Sequence, residues 1–186
     1  MKFVLATQNQ KKLREMSDIL SGFGVEVVTP KSLGIDLEVE ETGTTFAENA
    51  MLKAKAICEA ANLPAIADDS GLCVDALAGA PGVYSARYGG EGLDDVGRYR
   101  LLLENLRGQT TRTAHFACAI ACAFPNGDTL TAEGKVEGTI AYAPMGEGGF
   151  GYDPIFFYPP CARPSASSPR RRSTASPTGE RLWRFL

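Results

Sequence analysis

Hydrophobic and polar positions recur along this chain with two periods, and the switches between them lay out its elements. Phe3-Val4-Leu5-Ala6 is an apolar run of strand length; behind the polar residues from Thr7 to Lys12, Leu13, Met16, Ile19, Leu20 and Phe23 follow at helical spacing. The order is strand, polar loop, helix, with Asn9 as the expected N-cap and Gly22 and Gly24 as stop signals. Val25 to Val28 alternates as a second strand until Thr29-Pro30 breaks it. Thr45-Phe46-Ala47-Glu48 has the spacing of a capping box. Phe46, Ala50, Ala54, Ile57 and Ala61 continue behind it as an alanine-rich stripe, which predicts a helix through about Ala61 that packs closely on a sheet. Asn62-Leu63-Pro64 ends that helix.

The next stretch, Ala65-Ile66-Ala67-Asp68-Asp69-Ser70-Gly71, reads as a short buried strand that stops at two carboxylates and a Ser-Gly turn. Leu72 to Asp75 reads as another short strand, and Ala78 to Gly82 as a loop. Asp94 or Asp95 can cap a helix that carries Val96, Tyr99, Leu102, Leu103 and Leu106 and ends at Gly108. From Thr113 to Phe124 the alternation is strict, with Phe116, Cys118, Ile120, Cys122 and Phe124 on one side and mostly alanines on the other. Pro125-Asn126-Gly127-Asp128 is a hairpin turn, and its second strand runs from Thr129 to about Ile140.

Composition bounds this picture without changing it. With 186 residues, 44% hydrophobic and 22% charged, the chain is one domain or one two-lobed domain with a sizeable core. A net charge of -3 argues against a dedicated nucleic-acid binder, so an anionic substrate needs local cations or a metal. The first apolar run is too short for a signal peptide, and no stretch approaches the roughly 18 apolar residues of a membrane span. The expected location is the cytoplasm, with no membrane partner. Five cysteines without a Cys-x-x-Cys pair read as reduced thiols, mostly packed as small hydrophobes.

Candidate chemistry gathers in four places. Asp68-Asp69 is either a solvated turn or a pair of ligands for a divalent cation at a strand's carboxyl end. Asp36, Glu38, Glu40 and Glu41 repel one another unless solvated or bound to a cation. The helix after Thr7 turns its free N–H groups toward the end of the first strand, where an anion such as phosphate would sit. Lys12 adds a full charge there or is solvated surface, while Lys11 reads as surface. From Met145 to Pro154, glycines let the backbone approach a ligand, and Phe150 and Tyr152 between them can stack on a base. Arg87, between Tyr84 and Tyr88, is a phosphate clamp or an ordinary ion-pair partner. His115, the only histidine, reads as structural or interfacial.

Taken in order, several stretches carry a resemblance: Leu5 to Lys12, Glu40-Glu41-Thr42-Gly43 with Thr45-Phe46 and Glu48-Asn49-Ala50, Ala67 to Gly71, Ala80 to Tyr88, and Gly148 to Pro154. Over residues 1 to about 159 the chain resembles the inosine/xanthosine triphosphate pyrophosphatase family. The resemblance implies an α/β fold, an elongated two-lobed domain with a long mixed β-sheet flanked by helices and an active-site cleft between the lobes. It also implies a homodimer, Mg²⁺ as cofactor, and hydrolysis of ITP, dITP or XTP to the monophosphate and pyrophosphate, which clears non-canonical purines from the nucleotide pool. By that resemblance the phosphate loop is Thr7, Gln8, Asn9, Gln10, Lys11 and Lys12, with Gln8 where glycine is usual. Glu41 and Asp69 are the metal ligands, Asp68 supports them, and Asp69 is also the general base. Ser70, Phe150, Gly151, Tyr152 and Asp153 match substrate-contacting positions. Two other classes stay open: a nucleotide-binding chain with impaired catalysis, and another metal-dependent phosphohydrolase.

Beyond Tyr158-Pro159-Pro160 the pattern breaks. Where the family carries a Gly-Lys-Thr-Phe-like segment, an acidic helix and Ser-His-Arg-Gly, residues 161–178 are rich in Ala, Arg, Pro and Ser and lack hydrophobic periodicity. Pro177 and Thr178 stand at the His and Arg positions, and from Gly179 to Leu186 the family's closing helix resumes. This is the signature of a segment read in a shifted frame between two compensating base errors in GC-rich DNA. Resequencing the coding DNA is expected to restore the family's segment; a clean open frame encoding these same residues would overturn the explanation.

Overall fold

The computed structural model describes residues 2–7, 10–90, 92–145 and 151–158. Gln8, Asn9, Phe150 and the 161–178 segment therefore lie outside the described residues, and of Gln10 and Lys11 only the backbone is described.

The described residues form six strands and three α-helices, of which all but the last strand lie where the sequence pattern places a strand or a helix. They are β1 (Lys2–Ala6), α1 (Gln10–Ser21), β2 (Glu26–Val28), α2 (Phe46–Ala61), β3 (Ala65–Val74), α3 (Asp95–Asn105), β4 (Thr113–Ala123), β5 (Thr129–Ile140) and the short β6 (Phe156–Phe157). The sheet is mixed, in the order β2-β1-β3-β4-β5-β6, parallel among the first three and antiparallel from β3 onward.

Both faces of its parallel end are covered, which is why β1 reads as an unbroken apolar run. On one face α2 lays Ala50, Ala54, Ile57 and Cys58 against Val4, Ala65, Ala67, Ala119, Ala121 and Ala123. Alanine meeting alanine brings helix and sheet close together. On the other face Met16 of α1 packs with Leu5, Ile66 and Cys118. From Ala65 to Ser70 successive β3 side chains therefore point to different helices, odd positions to α2 and even positions to α1. A further apolar cluster joins Leu72 and Val74 of β3 to Leu102 of α3, Leu106 just after it, Ile140, Tyr152 and Phe156. The rings of Phe116 and Phe156 meet edge to face there, 4.7 Å apart.

Local signals act where they were read. Thr45 and Glu48 close a reciprocal capping box on α2, and Asn62 ends that helix in the left-handed conformation at φ 50°. The Asp94 carboxylate accepts the Gly97 N–H at 2.7 Å and caps α3. Gly127 takes φ 92° in the β4–β5 turn.

One expectation fails. There is no Ser-Gly turn after Asp69, and Leu72 to Val74 is not a separate strand: β3 runs straight through from Ala65 to Val74. Every one of its residues is paired with β4, from Ala65↔Ala123 to Val74↔Ala114, and this continuous ladder overrides the local turn preference of Asp-Ser-Gly. Gly71 is needed for closeness. A Cβ there would lie 2.4 Å from Ser85 Oγ and 2.6 Å from the Gly82 carbonyl oxygen. Gly71→Ala is expected to cost about 1–3 kcal/mol of stability through overpacking, read as a lowered midpoint in urea with an unchanged slope.

Candidate active site

The edge of β3 explains where a cleft forms. β1 pairs with β3 only as far as Ala6↔Ala67. From Leu72 onward the same edge is taken by the 80–85 segment: Leu72 donates its N–H to Ser85 Oγ at 2.9 Å, Val74 donates to the Ala80 carbonyl at 3.2 Å, and Cys73 bridges to Pro81. Between these two covers lies a window at Asp68 to Gly71. It opens into a cleft of about 1660 Å³ whose lining includes Thr7, Lys12, Glu41, Lys53, Arg87 and Tyr152.

The two adjacent carboxylates face opposite sides of the sheet. On the α2 side, Asp69 Oδ2 accepts from the Asn49 amide at 3.1 Å, and Oδ1 accepts the Ser70 N–H at 3.0 Å. Lys53, one helical turn after Asn49, places Nζ 2.7 Å from Glu41 Oε1 and 3.8 Å from Asp69 Oδ1. Arg87 reaches the other Glu41 oxygen at 3.5 Å while stacking over the Tyr84 ring at 5.0 Å. On the α1 side, buried Asp68 is ion-paired with Lys12, whose ammonium also donates to Ser70 Oγ at 3.1 Å.

Glu41 and Asp69 thus share one cation and one side of the cleft. Asp68, expected to support them as a ligand, is engaged by Lys12 across the sheet, because neighbouring strand residues alternate in direction. Arg87 serves as an ion-pair partner of Glu41 on the wall of the cleft. Burial pushes the Asp69 carboxyl above the ordinary carboxylate range; the Lys53 charge and the Asn49 hydrogen bond pull it back, and the neighbouring Glu41 pushes it up again. On the α1 face, burial pushes the Cys118 thiol up to about 12, and the nearby Asp68 charge adds to the shift.

The segment after the glycine-rich loop is clamped at its root. Gly151 donates its N–H to Asp95 Oδ2 at 3.0 Å, and Met145 donates to the Pro154 carbonyl at 2.7 Å. Tyr152 is 5% exposed, its ring lies in the α3 cluster, and its hydroxyl donates to the Ser85 carbonyl at 2.9 Å. The expectation that Tyr152 stacks on a base therefore gives way to an anchoring role, since its ring is already packed. Asp153 is buried and lines the cleft beside it, as Thr7 does at the end of β1.

No three His, Cys, Asp or Glu side chains form a ready-made metal cluster among the described residues. Two carboxylates converging on the Lys53 ammonium are a donor set that would suit a divalent cation, its shell completed by substrate phosphates and water.

A model of the Ham1 family matches residues 3–175. The chain belongs to the Ham1 family. A dITP/XTP pyrophosphatase from an Exiguobacterium species is 47% identical over 183 residues, which are 98% of this chain and 93% of that protein. One from Bacillus subtilis is 50% identical over 155 residues, 82% of this chain and 78% of the relative. The structure of the Staphylococcus aureus Ham1 protein superposes with a TM-score of 0.80 at 45% identity, covering 86% of this chain and 82% of that one. The mixed sheet flanked by helices is the Ham1 fold.

Two residues of this Ham1 cleft escaped the reading of the sequence. Lys53 was legible in principle, as a charge at i+4 from Asn49 on the flank of a stripe otherwise made of alanine. Asp95 carried a helix-capping signal that hid its tertiary role at Gly151.

The raised Asp69 pKa has a consequence for stability. Folded Asp69 holds its proton more tightly than the unfolded chain does, so this group favours folding below the ordinary carboxylate pKa. That contribution is lost as the pH climbs to the raised value. Asp69→Asn is expected to melt above the wild type at pH 7, with the gap closing as the pH falls through the carboxylate range. A gap that widens toward acid in paired thermal scans would contradict this.

Proposed function

We propose that this chain hydrolyses the non-canonical purine triphosphates ITP, dITP and XTP to the monophosphate and pyrophosphate, using Mg²⁺, in the cytoplasm. It acts as a homodimer of single two-lobed catalytic units. The observation that carries the reading is the pairing of Glu41 and Asp69 around Lys53 at the open edge of β3, in a chain 47–50% identical to proteins named dITP/XTP pyrophosphatase.

Each group has a task that follows from its charge and place. Glu41 and Asp69 would hold the cation, which when bound neutralises phosphate charge and favours displacement at phosphorus. Lys53 and Arg87 exchange their carboxylate partners for phosphate oxygens as the nucleotide enters. Lys12, early in α1, adds its charge to the N–H groups of a helix whose first turn holds no acidic residue. The family resemblance assigns Thr7, Gln8, Asn9, Gln10 and Lys11 to the phosphates and Phe150, Gly151 and Asp153 to the base and sugar, and Ser70 offers its hydroxyl at the window. Asp69 accepts a proton from the attacking water as its oxygen joins phosphorus and the α–β phosphoanhydride breaks. Its raised proton affinity suits a base better than an ordinary surface carboxylate.

The test separates pyrophosphate from orthophosphate release across ITP, XTP, dITP, ATP and GTP with Mg²⁺. Pyrophosphate from the first three is expected, together with a loss of about 100-fold or more in turnover for Asp69→Asn. Orthophosphate as the product, or near-normal hydrolysis by Asp69→Asn, would sink the assignment; nucleotide-induced thermal stabilisation without turnover would favour a binding protein.

A further inference from the structure

Asn49 is a side chain that the chemistry above does not use. It sits in the first turns of α2, is 0% exposed, and lies among alanines on the face that packs against the sheet. A buried amide needs partners, and asparagine is a poor residue for a helix interior. Here both of its ends are satisfied across different parts of the chain. Oδ1 accepts the Gly43 N–H at 2.7 Å, and Nδ2 donates to Asp69 Oδ2 at 3.1 Å. The partners fix the amide's orientation, since the backbone N–H can only donate and the carboxylate can only accept. Neither an ionised carboxylate nor an alkyl group of the same shape makes both bonds. The loop side is equally demanding: a Cβ on Gly43 would lie 2.6 Å from Asn49 Oδ1 and 2.7 Å from Glu48 Cβ.

We infer that Asn49 is a positioning residue that ties the segment bearing Glu41 to the strand bearing Asp69 and so sets the separation of the two carboxylates. The inference rests on reading Glu41 and Asp69 as the pair that holds the divalent cation. Two links join that pair. Lys53 is an ion pair, given up when a cation and phosphate enter. The amide link through Gly43 and Asn49 is neutral, buried and indifferent to that exchange, so it persists while the charges change partners. Asn49 touches neither substrate nor metal and acts through Asp69 and the loop.

The test compares Asn49→Ala, which cuts both bonds, with Gly43→Ala, whose Cβ would press on the Asn49 amide and force loop and helix apart. Ile140→Val, a mild loss in the distant apolar cluster, is the stability control. Each folded variant is measured for Mn²⁺ affinity by electron paramagnetic resonance without nucleotide, for kcat and KM on ITP, and for its melting temperature. Expected for Asn49→Ala is a loss of about 10- to 100-fold in both Mn²⁺ affinity and kcat, with KM within about threefold, as for residues that orient metal ligands. Gly43→Ala should share the loss in Mn²⁺ affinity, and Ile140→Val neither loss. Asn49→Ala within twofold of an active, Mn²⁺-binding wild type, or an equal loss in Ile140→Val, would overturn the inference alone. Should Asn49→Ala not fold, unchanged Mn²⁺ affinity in Gly43→Ala overturns it instead. A wild type that neither binds Mn²⁺ nor releases pyrophosphate would overturn the underlying reading and this inference with it.

Discussion

Two carboxylates side by side in the middle of a central strand are the constraint on which this structure turns. Taking a charge out of water costs several kcal/mol even after relaxation, and only well-placed partners offset it. Because strand neighbours alternate, Asp68 and Asp69 cannot share a partner; each needs its own cation from its own side. α1 supplies Lys12 on one face, and α2 supplies Lys53 with the Asn49 amide on the other. The placement of both helices on the sheet is therefore tied to charge as well as to apolar fit. Alanine-rich contacts allow the close approach, and the ion pairs fix which residues meet.

The balance of charge follows from the same arrangement. Around the window, Glu41, Asp68 and Asp69 are met by Lys12, Lys53 and Arg87. That cluster is matched in charge, while the wider cleft lining adds Asp36, Glu38, Glu40, Asp95 and Asp153 against Lys31 and Arg98. The matched cluster suits a ligand that brings both signs at once, so that every side chain trades one partner for another of the same charge. This agrees with the chain's modest overall charge, which supplies no broad field to steer a polyanion.

Much of this was legible in the chain because local and tertiary preferences agree. The apolar runs, the Thr45 and Glu48 box, the Asp94 cap and the Asn-Gly hairpin all act where the pattern places them. Where they disagree the pattern misleads. Asp-Ser-Gly favours a turn, yet ten ladder pairs with β4 keep the strand straight, and Gly71 is there for room. Tyr152 in a glycine-rich stretch suggested a platform for a base, but the core beneath it takes its ring. A sequence also shows that two acids are adjacent without showing that they face apart, which is how Asp68 came to be grouped with Glu41 and Asp69. Lys53 and Asn49 stayed hidden for a related reason: their meaning depends on what the sheet places opposite them.

The window itself has a consequence of another kind. An uncovered strand edge exposes backbone donors and acceptors that a second molecule can pair with, the usual start of edge-to-edge aggregation. Here the gap is short, bounded by β1 on one side and the 80–85 segment on the other. Within it, the Ser70 N–H is already taken by its neighbour's carboxylate, and charged side chains project to both faces. The groups that make the cleft reactive thus also keep it from recruiting another strand, so solubility and chemistry are maintained by the same few charges.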